Sequence, residues 1–207
     1  MKKILFSLAC SSLLFANNYD IGLDAYKNKE YKKAYNFFLK SAENGNAQAS
    51  HNLSIMYNNG DGVEKNIKQS IQWLKKASDL NNTYAMTQLA NNYMNGSHIE
   101  KDYKKALVLF EKAALLDNSQ AAYTLGYLYT VGIAAPQNNE KAIIWYEKAA
   151  KLGNTNAQIN LGFMYISAQG VEKNMNKAAY YIKKAKDQGH PKAEALWKQF
   201  ELEKYKD

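Results

Sequence analysis

The chain has 207 residues, is 46% hydrophobic and contains only two prolines, a composition that excludes a disordered chain and fits an ordered helical protein. Its formal net charge is +8, and all 27 basic residues are lysine, with no arginine. Arginine is the side chain suited to bidentate phosphate and base-edge contacts, so its absence argues against nucleic-acid recognition; the lysines read as solvated helix surface.

Met1–Ala16 stands apart from the rest. Lys2 and Lys3 precede an almost wholly apolar run, Ile4–Phe15, and small Ala16 is followed by polar Asn17, Asn18 and Asp20. This is the layout of a secretory signal peptide, which predicts an exported protein, periplasmic or secreted, whose mature chain spans 17–207. An uncleaved N-terminal anchor is the alternative. The apolar core is shorter than the roughly 20 residues a membrane-spanning helix needs, so an integral membrane protein is not expected. Cys10 is the single cysteine. Leu8-Ala9-Cys10 has the residue types that end a lipoprotein signal, but Ser7 stands where a large apolar residue belongs and the apolar run continues through Leu13, Leu14 and Phe15. Lipidation is therefore the lesser reading. Cleavage after Ala16 leaves a chain without cysteine, held together by packing alone.

From residue 19 onward a fixed step governs the sequence. Ala49, Ala85, Ala121, Ala157 and Ala193 lie 36 residues apart. Leu53, Leu89, Leu125 and Leu161 obey the same step, as do Tyr57, Tyr93, Tyr129 and Tyr165. Two further rows are Phe38, Leu74, Phe110, Tyr146 and Ile182, and Ser41, Ala77, Ala113, Ala149 and Ala185. A period of this length marks a stacked repeat array. Within Asn46–Asn82, apolar residues at steps of three and four predict a first helix, the run Asn58–Val63 ends it, and a second helix starts near Asn66 with Ile67, Ser70, Ile71, Leu74 and Ala77 on its buried stripe. Asn81-Asn82 closes that helix, where asparagine takes the left-handed conformation. Gly126 and Gly162 sit in mid-helix, where glycine costs roughly 1 kcal/mol relative to alanine, and predict a helix crossing close by. The units fall at about 19–46, 47–82, 83–118, 119–154 and 155–190. Pro191–Tyr205 reads as one final amphipathic helix that caps the array within 191–207.

These residues resemble the Sel1-like repeat. Ala157-Gln158-Ile159-Asn160-Leu161-Gly162-Phe163-Met164-Tyr165 and Lys141-Ala142-Ile143-Ile144-Trp145-Tyr146-Glu147-Lys148-Ala149-Ala150-Lys151-Leu152-Gly153 carry its pattern. The first unit, around Ala25–Ala34, is more similar to the related tetratricopeptide repeat. The resemblance implies an all-α fold, an α/α right-handed superhelix of helical hairpins, that mediates protein–protein contacts. Exported relatives are often cysteine-rich, and some carry a β-lactamase label; no repeat here holds a cysteine.

No serine is followed by lysine at the three-residue spacing of serine β-lactamases, no Lys-Thr-Gly occurs, and His51, His98 and His190 lie in three different units. Neither a catalytic residue, a metal site nor a cofactor is expected. The side of each first helix opposite its Leu/Tyr stripe carries Gln48, His51, Ile55 and Asn58, then Tyr84, Thr87, Asn91 and Met94, then Gln120, Tyr123, Tyr127 and Thr130, then Asn156, Ile159, Phe163 and Ile166. In a tetratricopeptide-like superhelix this side lines the concave groove. Amides there bond an extended backbone, and aromatic rings anchor it. The expected function is a monomeric, non-catalytic scaffold that binds a protein or peptide through Tyr84, Asn91, Tyr123, Tyr127, Asn156, Phe163 and Ile166. A β-lactam hydrolase and a binder of cell-wall glycan are the alternatives, and packing of some of these residues against an adjacent first helix is the structural one.

Overall fold

The computed structural model describes residues 18–205, so the signal-peptide and Cys10 readings lie outside the described residues. Helix α1 is described over residues 18–27. It is followed by α2 (Tyr31–Glu43), α3 (Ala47–Asn59), α4 (Ile67–Asp79), α5 (Thr83–Asn95), α6 (Tyr103–Leu115), α7 (Ser119–Val131), α8 (Asn139–Lys151), α9 (Thr155–Ser167), α10 (Met175–Asp187), α11 (Ala193–Gln199) and a 3-10 turn, Leu202–Tyr205. No strand occurs among the described residues. The fold is all-α, built of repeated helical hairpins of the solenoid class. It forms two compact units, one reaching Asp102 with α1–α5 and one starting at Tyr103 with α6–α11.

One device starts seven of these helices. Asn46, Asn66, Asn82, Asn118, Asn138, Asn154 and Asn174 are N-caps, and each side chain accepts from the backbone N–H three residues on, at 2.8–3.0 Å. These bonds satisfy donors that have no partner inside the helix. The first helices end on left-handed residues at the repeat step: Gly60, Gly96, Gly132 and, in the last case, Ala168 at φ 55°. Asn81, two residues past α4, takes φ 64°, as its position predicts.

The rows of the sequence are the core. The alanines from Ala49 to Ala193 and the leucines Leu53, Leu125 and Leu161 are fully buried, as are Phe38, Phe110 and Ile182 of the second helices. The two mid-helix glycines are explained by the second helix of their own hairpin. A Cβ on Gly126 would lie 2.5 Å from the Tyr146 ring, and one on Gly162 would run into Ile182. Ser54 fills the matching place in α3, where the Ser70 hydroxyl donates to its carbonyl at 2.8 Å.

The expected final helix is a correction. Instead of one helix from Pro191 to Tyr205 there is a short α11, a break in which Glu201 takes φ 50°, and the 3-10 turn. The break lets fully buried Leu202 join Ile159, Ile182, Ala185 and Trp197 in one apolar cluster. A continuous amphipathic helix would hold that leucine to the direction of its own stripe. Ala193 and Trp197 keep the register of the alanine and leucine rows, so α11 is a truncated first helix.

Candidate binding face of the first helices

The sequences of α3, α5, α7 and α9 contain no lysine, aspartate or glutamate; His51 is their one titratable group apart from tyrosine. In these four repeats charge is confined to the second helices and loops, as in α8 with Glu140, Lys141, Glu147, Lys148 and Lys151; the end elements α1, with Asp20, Asp24 and Lys27, and α11, with Glu194 and Lys198, carry charge of their own. Every exposed position of α3, α5, α7 and α9 is therefore neutral.

In the N-terminal unit, Tyr84 is 74% exposed at the start of α5, and Asn91 is exposed two turns on. His51 of α3 reaches Gln88 of α5, with 3.2 Å between Nε2 and Oε1. Burial holds its pKa below the ordinary value, against the opposing effect of that bond. Between α1 and α3, Leu23, Tyr26, Asn52 and Ile55 line a cavity of about 160 Å³. The Tyr26 hydroxyl donates to Asp61 at 2.8 Å, and burial with this bond pushes its pKa up to about 12.

In the C-terminal unit, Tyr127 of α7 and Phe163 of α9 are 47% and 45% exposed. Tyr123 is only half-exposed, because its ring lies 5.8 Å from that of buried Tyr146. Tyr146 comes from α8 and passes Gly126, and Thr130 Oγ1 donates to its hydroxyl at 3.4 Å. Burial pushes the Tyr146 phenol up, while hydrogen bonds from Thr130 and Asn160 oppose it. A second-helix hydroxyl thus sits among first-helix side chains. The neutral lining of α7 made Tyr123 and Tyr127 legible; this buried phenol was signalled only by a glycine and a tyrosine twenty residues apart.

The other expected residues divide. Asn156 is exposed, but its Oδ1 lies 3.1 Å from His190 Nε2, while the Lys192 backbone N–H donates to His190 Nδ1. That second bond makes Nε2 the protonated nitrogen, which donates to Asn156. Ile159 is buried, and half-buried Ile166 packs on the cluster of Ile182, Trp197 and Leu202. Phe163 keeps an open face although Phe200 meets it edge-on at 6.4 Å. Ile159 and in part Ile166 are thus taken up by packing that includes Trp197 of the adjacent truncated first helix α11, whereas Tyr123 packs on a second helix, α8. Tyr84 and Asn91 belong to the N-terminal unit; Tyr123, Tyr127, Asn156, Phe163 and Ile166 belong to the C-terminal one.

Among the described residues, no three His, Cys, Asp or Glu gather as a metal site. No helix there is long and apolar enough to cross a membrane. The face offers aromatic rings, amides and hydroxyls, the chemistry of neutral recognition.

Comparison with known proteins gives the family. No curated protein matches the chain. A Sel1 repeat protein from Oxalobacter formigenes is 30% identical with a TM-score of 0.78, over 86% of this chain and 75% of its own. A protective antigen of uropathogenic Escherichia coli strains, c5321, is 28% identical with a TM-score of 0.79, over 91% of this chain and 41% of its own length. Cysteine rich protein B of Helicobacter pylori is 29% identical with a TM-score of 0.51, over 64% of this chain and 95% of its own. The Sel1 repeat model matches residues 16–46, 47–82, 83–118, 119–154 and 155–190, the unit first read as tetratricopeptide-like included, and the chain belongs to the Sel1 repeat family.

Proposed function

We propose that this protein is an exported, non-catalytic scaffold, periplasmic or secreted, that captures a peptide or protein segment on the neutral face of its first helices. The observation that carries the reading is the pair Tyr127 and Phe163. Each is nearly half exposed, on helices that carry no Lys, Asp or Glu, beside amide and hydroxyl side chains. Tyrosine and phenylalanine are both enriched at protein interfaces, and tyrosine is among the residues that carry most of the binding energy there. Export rests on the arrangement of Met1–Ala16.

The test begins with affinity capture from an envelope extract and identification of the retained partner by mass spectrometry. Tyr127→Ala with Phe163→Ala weakens its binding by about tenfold or more and leaves the helical circular dichroism unchanged. Tyr123 is left intact because it packs on Tyr146. Capture on a neutral face also changes little with added salt. Equal retention by the double variant overturns the assignment. Turnover of a chromogenic cephalosporin by the purified chain, above a heat-inactivated control, overturns the non-catalytic part.

A further inference from the structure

The first-helix face is neutral, yet the C-terminal unit is the basic part of the molecule. Residues 103–205 hold 14 lysines against nine acidic residues, whereas residues 18–102 hold ten against nine. Part of this excess gathers on α10, a second helix. Tyr180, Lys183 and Asp187 recur there at steps of three and four, so they share one stripe. The 3-10 turn brings Tyr205 beside the stripe, and with Lys177 and Lys184 these residues line a cavity of about 480 Å³. Its volume falls in the range of sites that hold small ligands or a few side chains.

The lysines differ in their attachments. Lys183 is paired with Asp187 at 2.6 Å. Lys184 Nζ instead lies 4.6 Å from the centroid of the Tyr180 ring, and Lys177 Nζ lies 5.1 Å from that of Tyr165 and 3.5 Å from its hydroxyl. Neither has a carboxylate within ion-pair reach among the described residues. Both ammoniums rest on aromatic rings, an attraction weaker than a hydrogen-bonded carboxylate provides. Tyr180 itself is 53% exposed.

Spacing selects the occupant. Lys177 and Lys184 are seven residues apart, about 10 Å along the helix. In an extended chain, side chains four residues apart share one face about 13 Å apart, with that of the residue midway between them on the same face, a span two flexible lysine side chains reach. Tyr180 lies between the two lysines and faces the cavity it shares with Tyr205. We propose that this cavity is a docking site for an extended acidic segment of a partner protein. Two carboxylates four residues apart take Lys177 and Lys184, and the apolar side chain midway between them, on the same face, enters beside Tyr180 and Tyr205. Asp187 in the wall is an acceptor for a backbone N–H of the segment. The same carboxylate disfavours a phosphate-covered lipid surface, and a cavity lined by two tyrosines fits a single inserted side chain better than a flat bilayer.

The probe is a capped hexapeptide of serines carrying two glutamates four residues apart with one phenylalanine midway between them. It is titrated to millimolar concentration into the isotope-labelled chain and followed by amide chemical shifts. Shifts on α10 and the 3-10 turn are expected, with affinity that falls as salt is raised. Tyr180→Ala weakens binding about tenfold, and Lys177→Gln and Lys184→Gln weaken it about two- to fivefold each. A peptide with lysine in place of both glutamates does not bind. Absence of shifts, equal binding of the lysine peptide, undiminished binding to Tyr180→Ala with native circular dichroism, or shifts confined to α7 and α9 would each overturn the proposal. So would sedimentation with anionic phospholipid vesicles in the absence of peptide binding.

Discussion

Ser41 is the one polar member of a row whose other members, Ala77, Ala113, Ala149 and Ala185, are all alanine. It is fully buried, and its hydroxyl has no hydrogen-bond partner. A buried hydroxyl left unsatisfied costs about 1 kcal/mol or more. Ser41→Ala removes that cost and leaves no cavity larger than one oxygen atom. Its midpoint of thermal unfolding should exceed that of the parent chain by several degrees; a lower midpoint would show that the hydroxyl has a partner in solution. The row placed Ser41 in the core at the level of sequence, because a 36-residue step needs no knowledge of contacts. What the step cannot report is the fate of a single hydroxyl, which depends on which carbonyls come within reach. Tyr146 makes the same point on the binding face. Its place in the row with Phe38 and Phe110 identifies it as core, and its ring is core, but its hydroxyl emerges among Tyr123, Thr130 and Asn160.

Helix ends were the most legible elements, since asparagine and glycine punctuate them at the repeat step. The turn after α9 is the exception in composition. Ala168 takes the left-handed conformation that Gly60, Gly96 and Gly132 take in the earlier units. An L-residue pays roughly 1–2 kcal/mol there, part of which glycine returns in the entropy of the unfolded chain. Ala168→Gly should therefore stabilise the protein by about 0.5–1 kcal/mol, read as a shift in the denaturant midpoint at constant slope. Destabilisation would mean that the Ala168 methyl group packs usefully at the end of α9. The final element was the least legible. Its pattern of apolar residues is shared by a long helix and by a short helix with a turn. The choice falls to Leu202, whose burial against Ile159 and Ile182 is a tertiary fact. The stripe on α10 was likewise visible only as scattered lysines and tyrosines until the 3-10 turn placed Tyr205 beside it.

At the scale of the whole chain, a fold of this kind is read from sequence because each repeat solves one packing problem with the same residues. Function is read less well, since the positions that vary between repeats are those free of packing. Tyr84, Asn91, Tyr127 and Phe163 are such positions. Salt separates the two surfaces: binding to the neutral first helices should change little with ionic strength, whereas binding to the basic stripe of α10 should weaken as it rises. The asparagine caps carry a consequence for charge. Each accepts its cap bond through the side-chain oxygen, so aspartate caps a helix equally well and adds a negative charge where the helix dipole welcomes it. Asn118→Asp, Asn138→Asp and Asn154→Asp together should thus lower the isoelectric point of the chain and leave its ellipticity undiminished. Loss of helicity in that variant would show that an amide, and not merely an oxygen, is required at these positions.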